Sequence, residues 1–349
     1  MKNKPKNLKA AILFETNKPL KLLELDLPEL KRGQVLVKIK YSGICRSQLM
    51  EQSGLRGKDI WLPHLLGHEG SGIVVDVGPG VTKVKKNNKV VLSWIKSKGL
   101  ESNEICFSYK GLKINAGKVT TFSNYSIISE NRISIMPQNL TYKIAALLGC
   151  AMSTGAGLIL NQVKPKKNDV VIIIGFGGIG ISAYLALKFM KIKNIIIIDS
   201  DQKKLALAKK LGVKNVFSSK NNNISTEVLK ITKGGAKYCI ESAGLKESIE
   251  LGFSLINKFN GELHFASHPK NGDKISINPY ELIQGKKIFG TWGGKTNPDY
   301  DLKKFSKVIN SGFKLNLLFN KVYKLENINQ AFNDLKFNRT LRPLIKMEH

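Results

Sequence analysis

Cysteine is scarce: four in 349 residues, unequally spaced, too few and too irregular for a disulfide scaffold. No apolar run reaches the ~18–20 residues that a membrane-spanning helix needs, which excludes an integral helical membrane protein. Internal repeats and low-complexity linkers are missing as well. The opening stretch MKNKPKNLKAAILFETNKPLK is basic, but its apolar part, AAILF, is too short for the core of a secretory signal. Hydrophobic residues at 42% and charged residues at 23% are ordinary globular usage, so global disorder is excluded too. At roughly 150 residues per domain the length corresponds to about two domains. The expectation is a soluble, cytoplasmic, two-domain globular protein.

Acidic residues are also few. The chain has 56 Lys and Arg against 26 Asp and Glu, a formal charge of +30. One reading is affinity for an anionic partner: nucleic acid, a phosphorylated metabolite or a membrane surface. The other is compositional drift, since Lys, Asn and Ile are all abundant. The basic residues fall in short pieces (KVKK, KPKK, DLKK, GKK) along the whole chain, with no zinc-finger, basic-zipper or RNA-recognition signature. Drift is the preferred reading, and no specific nucleic-acid or membrane partner is expected.

The first 150 residues read as short strands and turns. VLVKIKYSGI and SGIVVDVG alternate or run apolar between Gly, Pro and Asn. From Asp169 the pattern changes to strand–helix alternation. The buried-type run VVIII (170–174) is followed by GFGGIG, a helix-period stretch ISAYLALKFMK, a second apolar run IIIID (195–199), and a helix QKKLALAKKLG ending at Gly212. YCIES and ELHFAS look like later strands, with helix from about 245 to 258 between them. Such alternation implies a parallel sheet with right-handed crossovers. The last ~55 residues resemble neither half.

Gly175-Phe-Gly177-Gly178-Ile179-Gly180 directly follows a predicted strand and opens a helix. A dinucleotide turn needs glycine three times: for the tight turn, for backbone approach to a pyrophosphate, and for close helix–strand packing. The helix N-terminus then offers free N–H groups to phosphate. Asp199 closes the next predicted strand, the ~20 residues downstream at which a carboxylate can accept both adenosine-ribose hydroxyls. A glycine-rich turn of an ordinary α/β domain does not explain that acid. Because a carboxylate repels a 2′-phosphate, Asp199 favours NAD(H) over NADP(H).

Upstream stand GICRS (43–47), LLGHEGSGIVVDVGPGV (65–81) and LLGCAMSTGAG (147–157). Cys45, His68 and Cys150 are the thiolate and imidazole donors that suit zinc, and three protein ligands describe a catalytic zinc with an open position. Taken singly, each residue has a plain structural reading, and spacing alone does not join them. In this order, however, the segments resemble the zinc-dependent medium-chain alcohol dehydrogenases, from about Val35 to Arg342. GHE followed by G-x-G-x-V-x-x-V-G is specific to that superfamily, and GCAMSTGAG resembles the branch whose third ligand is cysteine.

That resemblance implies an α/β fold with two parts. A β-rich chaperonin-10-like catalytic domain would comprise 1–151 and 292–349, and a Rossmann domain with a doubly wound parallel sheet would comprise 152–291. The active site would lie in the cleft between them. Cys45, His68 and Cys150 would bind one catalytic Zn2+ per subunit, with Glu69 beside it and able to join it transiently. Arg46 and Arg342 would pair with the pyrophosphate, and Lys204 would reach the adenosine ribose beside Asp199. Thr154 and Ile179 would pack against the nicotinamide. Ser47 would hydrogen-bond the substrate hydroxyl and begin the proton's route out. Trp94, Phe122, His268 and Trp292 would line the substrate pocket with Ser47. The segment KKIFGTWGG (286–294) corresponds to the family's pairing edge, implying a homodimer or homotetramer.

Three departures from the family pattern stand out. Only Cys106 falls in 95–118, where the family's four-cysteine structural-zinc lobe should be, so that site is expected to be absent. Gln48 replaces the acidic residue that supports the zinc-bound imidazole, and Met50 stands where many members carry a relay histidine. The resulting expectation is a zinc-dependent NAD(H) alcohol dehydrogenase acting on a polar alcohol, a polyol or sugar-like compound. The polarity is inferred from His268, which would offer a buried donor if it faced the cleft, or bond its own loop if it turned away. A polyol-phosphate or sugar-phosphate reductase on the same scaffold is the alternative. A non-enzymatic nucleic-acid or surface binder with a relic fold is the remote one.

Overall fold

Burial alternation and β-branched runs lay down the strands of the first part. The computed structural model describes residues 5–311 and 321–349. β1 (Asn7–Leu13), β2 (Lys21–Asp26), β3 (Gln34–Gly43), β4 (His64–Leu65), β5 (Glu69–Val77) and β6 (Lys89–Ser93) come first, with one helix, α1 (Arg46–Gln52), after β3. β7 (Ile105–Tyr109), β8 (Leu112–Ala116), β9 (Tyr125–Ser129) and β10 (Ile133–Ile135) follow, then α2 (Tyr142–Ala145) and α3 (Ala151–Gly157). β1, β2, β7, β8 and β4 close a small barrel. The hairpin β7–β8 thus occupies the segment where a metal lobe would stand, and its inward residues Ile105, Phe107 and Ile114 join the barrel core. Cys106 lies on that hairpin, 4.0 Å from the Asn115 side chain.

In the second part the apolar runs become parallel strands. These are β11 (Val171–Ile174), β12 (Ile195–Asp199), β13 (Asn215–Ser218), β14 (Tyr238–Glu241), β15 (Glu262–Phe265) and β16 (Lys287–Gly290). Helices α4 (Gly178–Phe189), α5 (Gln202–Lys210), α6 (Ile224–Ile231), α7 (Lys246–Ser254) and α8 (Pro279–Ile283) connect them. The strand order β13-β12-β11-β14-β15-β16 reverses direction between β11 and β14, the switch point at which doubly wound sheets bind nucleotides. β11 and β12 are fully buried, as strands covered on both faces must be, which is why they read as unbroken isoleucine runs.

The remaining described chain forms α9 (Pro298–Asn310), β17 (Val322–Lys324), α10 (Ile328–Lys336) and β18 (Leu344–Lys346). β18 pairs antiparallel with β3, Leu344 opposite Gly43. The C-terminal segment is therefore part of the first unit's sheet, although its short strands carry no readable alternation of their own. The chain divides into one compact unit of Met1–Ser153 with Asn297–His349 and a second of Thr154–Thr296. The return crossing lies five residues later than the sequence reading put it. A Cβ on Gly157 would meet Thr296 Oγ1 at 2.2 Å, so the turn before residue 297 packs onto the second unit. No single described helix is long and apolar enough to cross a membrane.

His264 on β15 is buried, stacks on Phe289 and faces Glu262 and Gln162. Burial lowers its pKa from the ordinary value, against the pull of Glu262. The folded protein thus resists a proton that the unfolded chain accepts near pH ~6.5, so this group's stability is present above that pH and lost below it. Thermal unfolding temperature should fall between about pH 7 and pH 5, and His264→Gln should flatten that fall.

Candidate functional site

Three strands side by side build the first site. β3 ends at Gly43 and delivers Cys45 to the start of α1; β5 begins at Glu69, directly after His68; β18 follows Arg342. Pairing of Ser42 with Gly70 and of Gly43 with Leu344 puts these three strand ends in register. Cys150 arrives from another direction. It sits at φ −146°, ψ −73°, a non-helical break between the 3-10 turn Ala146–Gly149 and α3. Ser93 Oγ anchors that turn by donating to the Gly149 carbonyl at 2.7 Å.

Tertiary structure brings Cys45, His68 and Cys150 together: one ligand atom from each lies within 4.8 Å of the others. His68 Nε2 is buried and has no hydrogen-bond partner among the described residues. An orphaned imidazole nitrogen beside two thiols is costly unless something binds it. The hydrogen bond between the two thiols holds the Cys45 pKa well below its ordinary value, assisted by Arg342 and His68 against burial. The same bond, with burial, raises that of Cys150. A dication binding both sulfurs would displace their protons. The donor set and the orphan fit zinc.

Glu69 is not one of that trio. Its side chain is wholly buried, with Oε1 accepting from Arg342 Nε at 2.8 Å and from the same guanidinium's terminal nitrogen at 2.5 Å. It occupies a slot that two glycines leave open. A Cβ on Gly43 would stand 1.9 Å from Glu69 Oε1, and one on Gly149 would stand 2.7 Å from its Cβ. Burial raises the Glu69 pKa, and Arg342 and His68 counter it. Burial also opposes the charge on Arg342, but Glu69 and the two thiols hold its pKa well above the usual guanidinium range. Arg342, assigned to a pyrophosphate by resemblance, thus has its guanidinium on Glu69.

Arg46 is exposed on α1 and donates to the Asn338 side chain. Ser47 is half-buried in the same first turn. Gln48 is buried; its Oε1 accepts from the Cys45 amide at 3.0 Å, while its Nε2 has no partner among the described residues. The residue that replaces the family's acid therefore positions Cys45.

The second unit carries the glycine turn at the switch point. Gly175, at φ +89°, takes a left-handed conformation, and a Cβ there would meet the Ala243 amide at 2.7 Å. A Cβ on Gly180 would lie 2.0 Å from the Gly175 carbonyl, so the third glycine serves helix–strand contact. A Cβ on Gly177 would meet nothing within 4 Å, which leaves open the space that backbone approach to a pyrophosphate requires. Asp199 ends β12 almost fully buried. It accepts from the Phe176 amide at 2.6 Å and the Asp201 amide at 2.9 Å, with Lys204 Nζ at 3.7 Å. Gly155 packs on the Ile179 carbonyl, which brings buried Thr154 and half-buried Ile179 onto neighbouring segments. These residues fit a dinucleotide.

The substrate-pocket expectations fare differently. Phe122 is fully buried in the core of the first unit, edge-on to Phe332 at 5.9 Å. Trp94 is half-buried and Trp292 is 79% exposed. His268 is exposed, its Nδ1 against the carbonyl of its neighbour Pro269. The buried donor that pointed to a polar substrate is therefore not present: a ring open to water satisfies itself on its own loop. Sequence reading missed the slot made by Gly43 and Gly149, because only the fold shows what each glycine faces.

The chain matches the family described as alcohol dehydrogenase GroES-like domain over residues 31–138 and that described as zinc-binding dehydrogenase over residues 178–311. The S-(hydroxymethyl)glutathione dehydrogenase of Synechocystis is 28% identical, the match covering 97% of this chain and 99% of that protein. Alcohol dehydrogenase class-2 isozyme 2 of Oryctolagus cuniculus is also 28% identical, over 99% of both chains. Among solved structures, benzyl alcohol dehydrogenase from Acinetobacter calcoaceticus has a TM-score of 0.88 at 27% identity, covering 99% of this chain and 100% of that one.

Two outcomes follow from this geometry. Purified protein should carry about one zinc per chain, and Cys150→Ser should bring the metal content close to zero by elemental analysis. Arg342→Met should cost ~3–5 kcal/mol in denaturant unfolding by stranding a buried carboxylate, and adding Glu69→Gln should recover much of that loss.

Proposed function

From the premise that this chain belongs to the zinc-dependent medium-chain alcohol dehydrogenase family, we propose that it interconverts an alcohol and its carbonyl compound by hydride exchange with NAD(H). The observation that carries this reading is the trio Cys45, His68 and Cys150 around an orphaned Nε2, on the same chain as a dinucleotide turn with its acid. Cys45, His68 and Cys150 would hold zinc, which when bound supplies a Lewis acid for the substrate oxygen. Gly175 to Gly180, Asp199 and Lys204 would hold NAD(H), which supplies the hydride acceptor or donor.

The chain's own residues do the rest. Ser47, two positions after Cys45, would take the alcohol's proton through its hydroxyl and pass it on; Met50 cannot serve as the family's relay histidine, so another group would carry it onward. The Glu69–Arg342 pair keeps a neutral partner group against the thiols, so the carboxylate can approach the metal ligands without adding net charge. Arg46 stands exposed and able to reach a phosphate. Thr154 and Ile179 would set the face of the nicotinamide. With His268 exposed, a polyol or sugar-like substrate rests on no buried donor, and the +30 charge is the support left for a phosphorylated one. A panel of alkyl and aromatic alcohols, polyols and sugar phosphates, read by nicotinamide absorbance, decides the class. Inactivity of the zinc-loaded protein on all of them would overturn the reading. The outer edge of β16 has no partner strand among the described residues, and exposed Trp292 stands just beyond it; both support a homodimer or homotetramer.

Asp199 should impose a strong preference for NAD(H), since a 2′-phosphate would set like charges together in a buried site. Asp199→Ala should narrow the ratio of kcat/KM for NAD+ over NADP+ by at least about tenfold, with Lys203 and Lys204 available to the added phosphate. Equal use of both cofactors by the unmodified enzyme would remove this role from Asp199.

A further inference from the structure

The doubly wound sheet has two strands at its switch point, β11 and β14. The glycine turn follows β11. Glu241 ends β14, and its side chain is completely buried. Three donors converge on Oε1: the Ala243 amide at 2.7 Å, the Gly244 amide at 2.8 Å and Ser248 Oγ at 2.8 Å. Oε2 is buried without any partner among the described residues. Burial also raises the pKa of this carboxyl, against those donors. A glutamate used only to begin a helix would be expected at the surface, where water serves its second oxygen.

What Oε1 holds is the loop 242–244, and that loop touches the phosphate turn. Ser242 Oγ donates to the Gly175 carbonyl at 2.6 Å and lies 3.1 Å from the Ile174 carbonyl. The Ser242 amide also donates to Ile174, at 2.8 Å. Ala243 N stands 2.7 Å from where a Cβ on Gly175 would be. On its other side, Ser242 accepts through its carbonyl from Ser267 Oγ at 2.8 Å. The Ile174 carbonyl thus continues the β11–β14 ladder through the Ser242 amide, and the carbonyl of the left-handed Gly175 is held by Ser242 Oγ. Without the Ser242 hydroxyl the Gly175 carbonyl would lose that partner and be free to reorient.

We infer that Glu241 is a positioning residue of the nucleotide site, fixing through Ser242 the turn on which the pyrophosphate of NAD(H) would rest. This rests on the proposed cofactor reading. Only Oε1 is engaged, so an acceptor oxygen is what the loop needs, and an amide carbonyl supplies it as well as a carboxylate. Glu241 touches neither cofactor nor substrate; its effect is on cofactor affinity, not on the chemical step.

The test measures NADH affinity by fluorescence titration of the zinc-loaded protein, and amide exchange of residues 174–180 in the cofactor-free protein. Glu241→Ala should raise the Kd for NADH about tenfold, with kcat at saturating cofactor within about twofold, and should speed exchange in the turn. Glu241→Gln should restore both to within about twofold of the unmodified protein. Ser242→Ala, which deletes one hydroxyl, should raise Kd about fivefold and speed the same exchange; it serves where Glu241→Ala does not fold. Unchanged affinity and exchange in Ser242→Ala, or a glutamine variant as impaired as alanine, would overturn the inference. If the unmodified protein failed to bind NADH, the cofactor reading would fall, and the exchange comparison would still decide whether Glu241 and Ser242 hold the turn.

Discussion

A single buried ion pair holds the metal-binding half of the molecule in register. Glu69 and Arg342 are 273 residues apart in sequence, and neither is exposed to water beyond a few per cent. Burying both charges is costly, and their mutual contact, at 2.8 Å and 2.5 Å, is the main compensation. That contact exists only if β18 has returned to pair with β3 and if Gly43 and Gly149 leave room for the carboxylate. His68 immediately precedes Glu69, Cys45 lies two residues past Gly43, and Cys150 follows Gly149. The pair is thus bonded into the same three chain segments that supply the sulfur and nitrogen donors. An error in any of the strand registers would leave a charge unpaired as well as a ligand misplaced.

The nucleotide-binding unit relies on a different device. Its sheet is buried on both faces, and its polar groups gather at the strand ends on either side of the switch point. At the end of β12, Asp199 uses both oxygens on backbone amides, Phe176 and Asp201, which fixes the carboxylate in place. At the end of β14, Glu241 and Ser242 do the corresponding work on the turn itself. Order established in advance in this way lowers the entropy that is otherwise lost when a flexible ligand binds. The two acids differ in kind. Asp199 has a lysine at 3.7 Å beside it, whereas Glu241 is sealed inside and works through its neighbour.

The segment in which the sequence shows only one cysteine, Cys106, is held by ordinary packing. There β7 and β8 form a hairpin that completes a closed barrel and inserts Ile105, Phe107 and Ile114 into its core. Each such side chain, fully buried, contributes roughly 1.5–3 kcal/mol. Apolar burial holds the hairpin, with Cys106 a half-buried neighbour of Asn115.

Local sequence determined a good deal. The runs VVIII and IIIID read as strands covered on both faces, and GFGGIG between a strand and a helix read as a phosphate-type turn once Asp199 followed at the right distance. These features are set by neighbours along the chain, where 2.0 and 3.6 periodicities and glycine chemistry act directly. Cys45, His68 and Cys150 were nameable through resemblance, but their spacing did not join them, because strand pairing and not chain separation made them neighbours. Tertiary structure alone decided that Arg342 turns to Glu69, that Gln48 holds the Cys45 amide, that Phe122 is core, and that His268 bonds its own loop in water. It alone exposed Glu241 as a buried acid with one idle oxygen. In each of these cases the side chain's role depends on what a distant segment places against it, and burial, which sets the value of every charge and hydrogen bond, is a property of the folded whole.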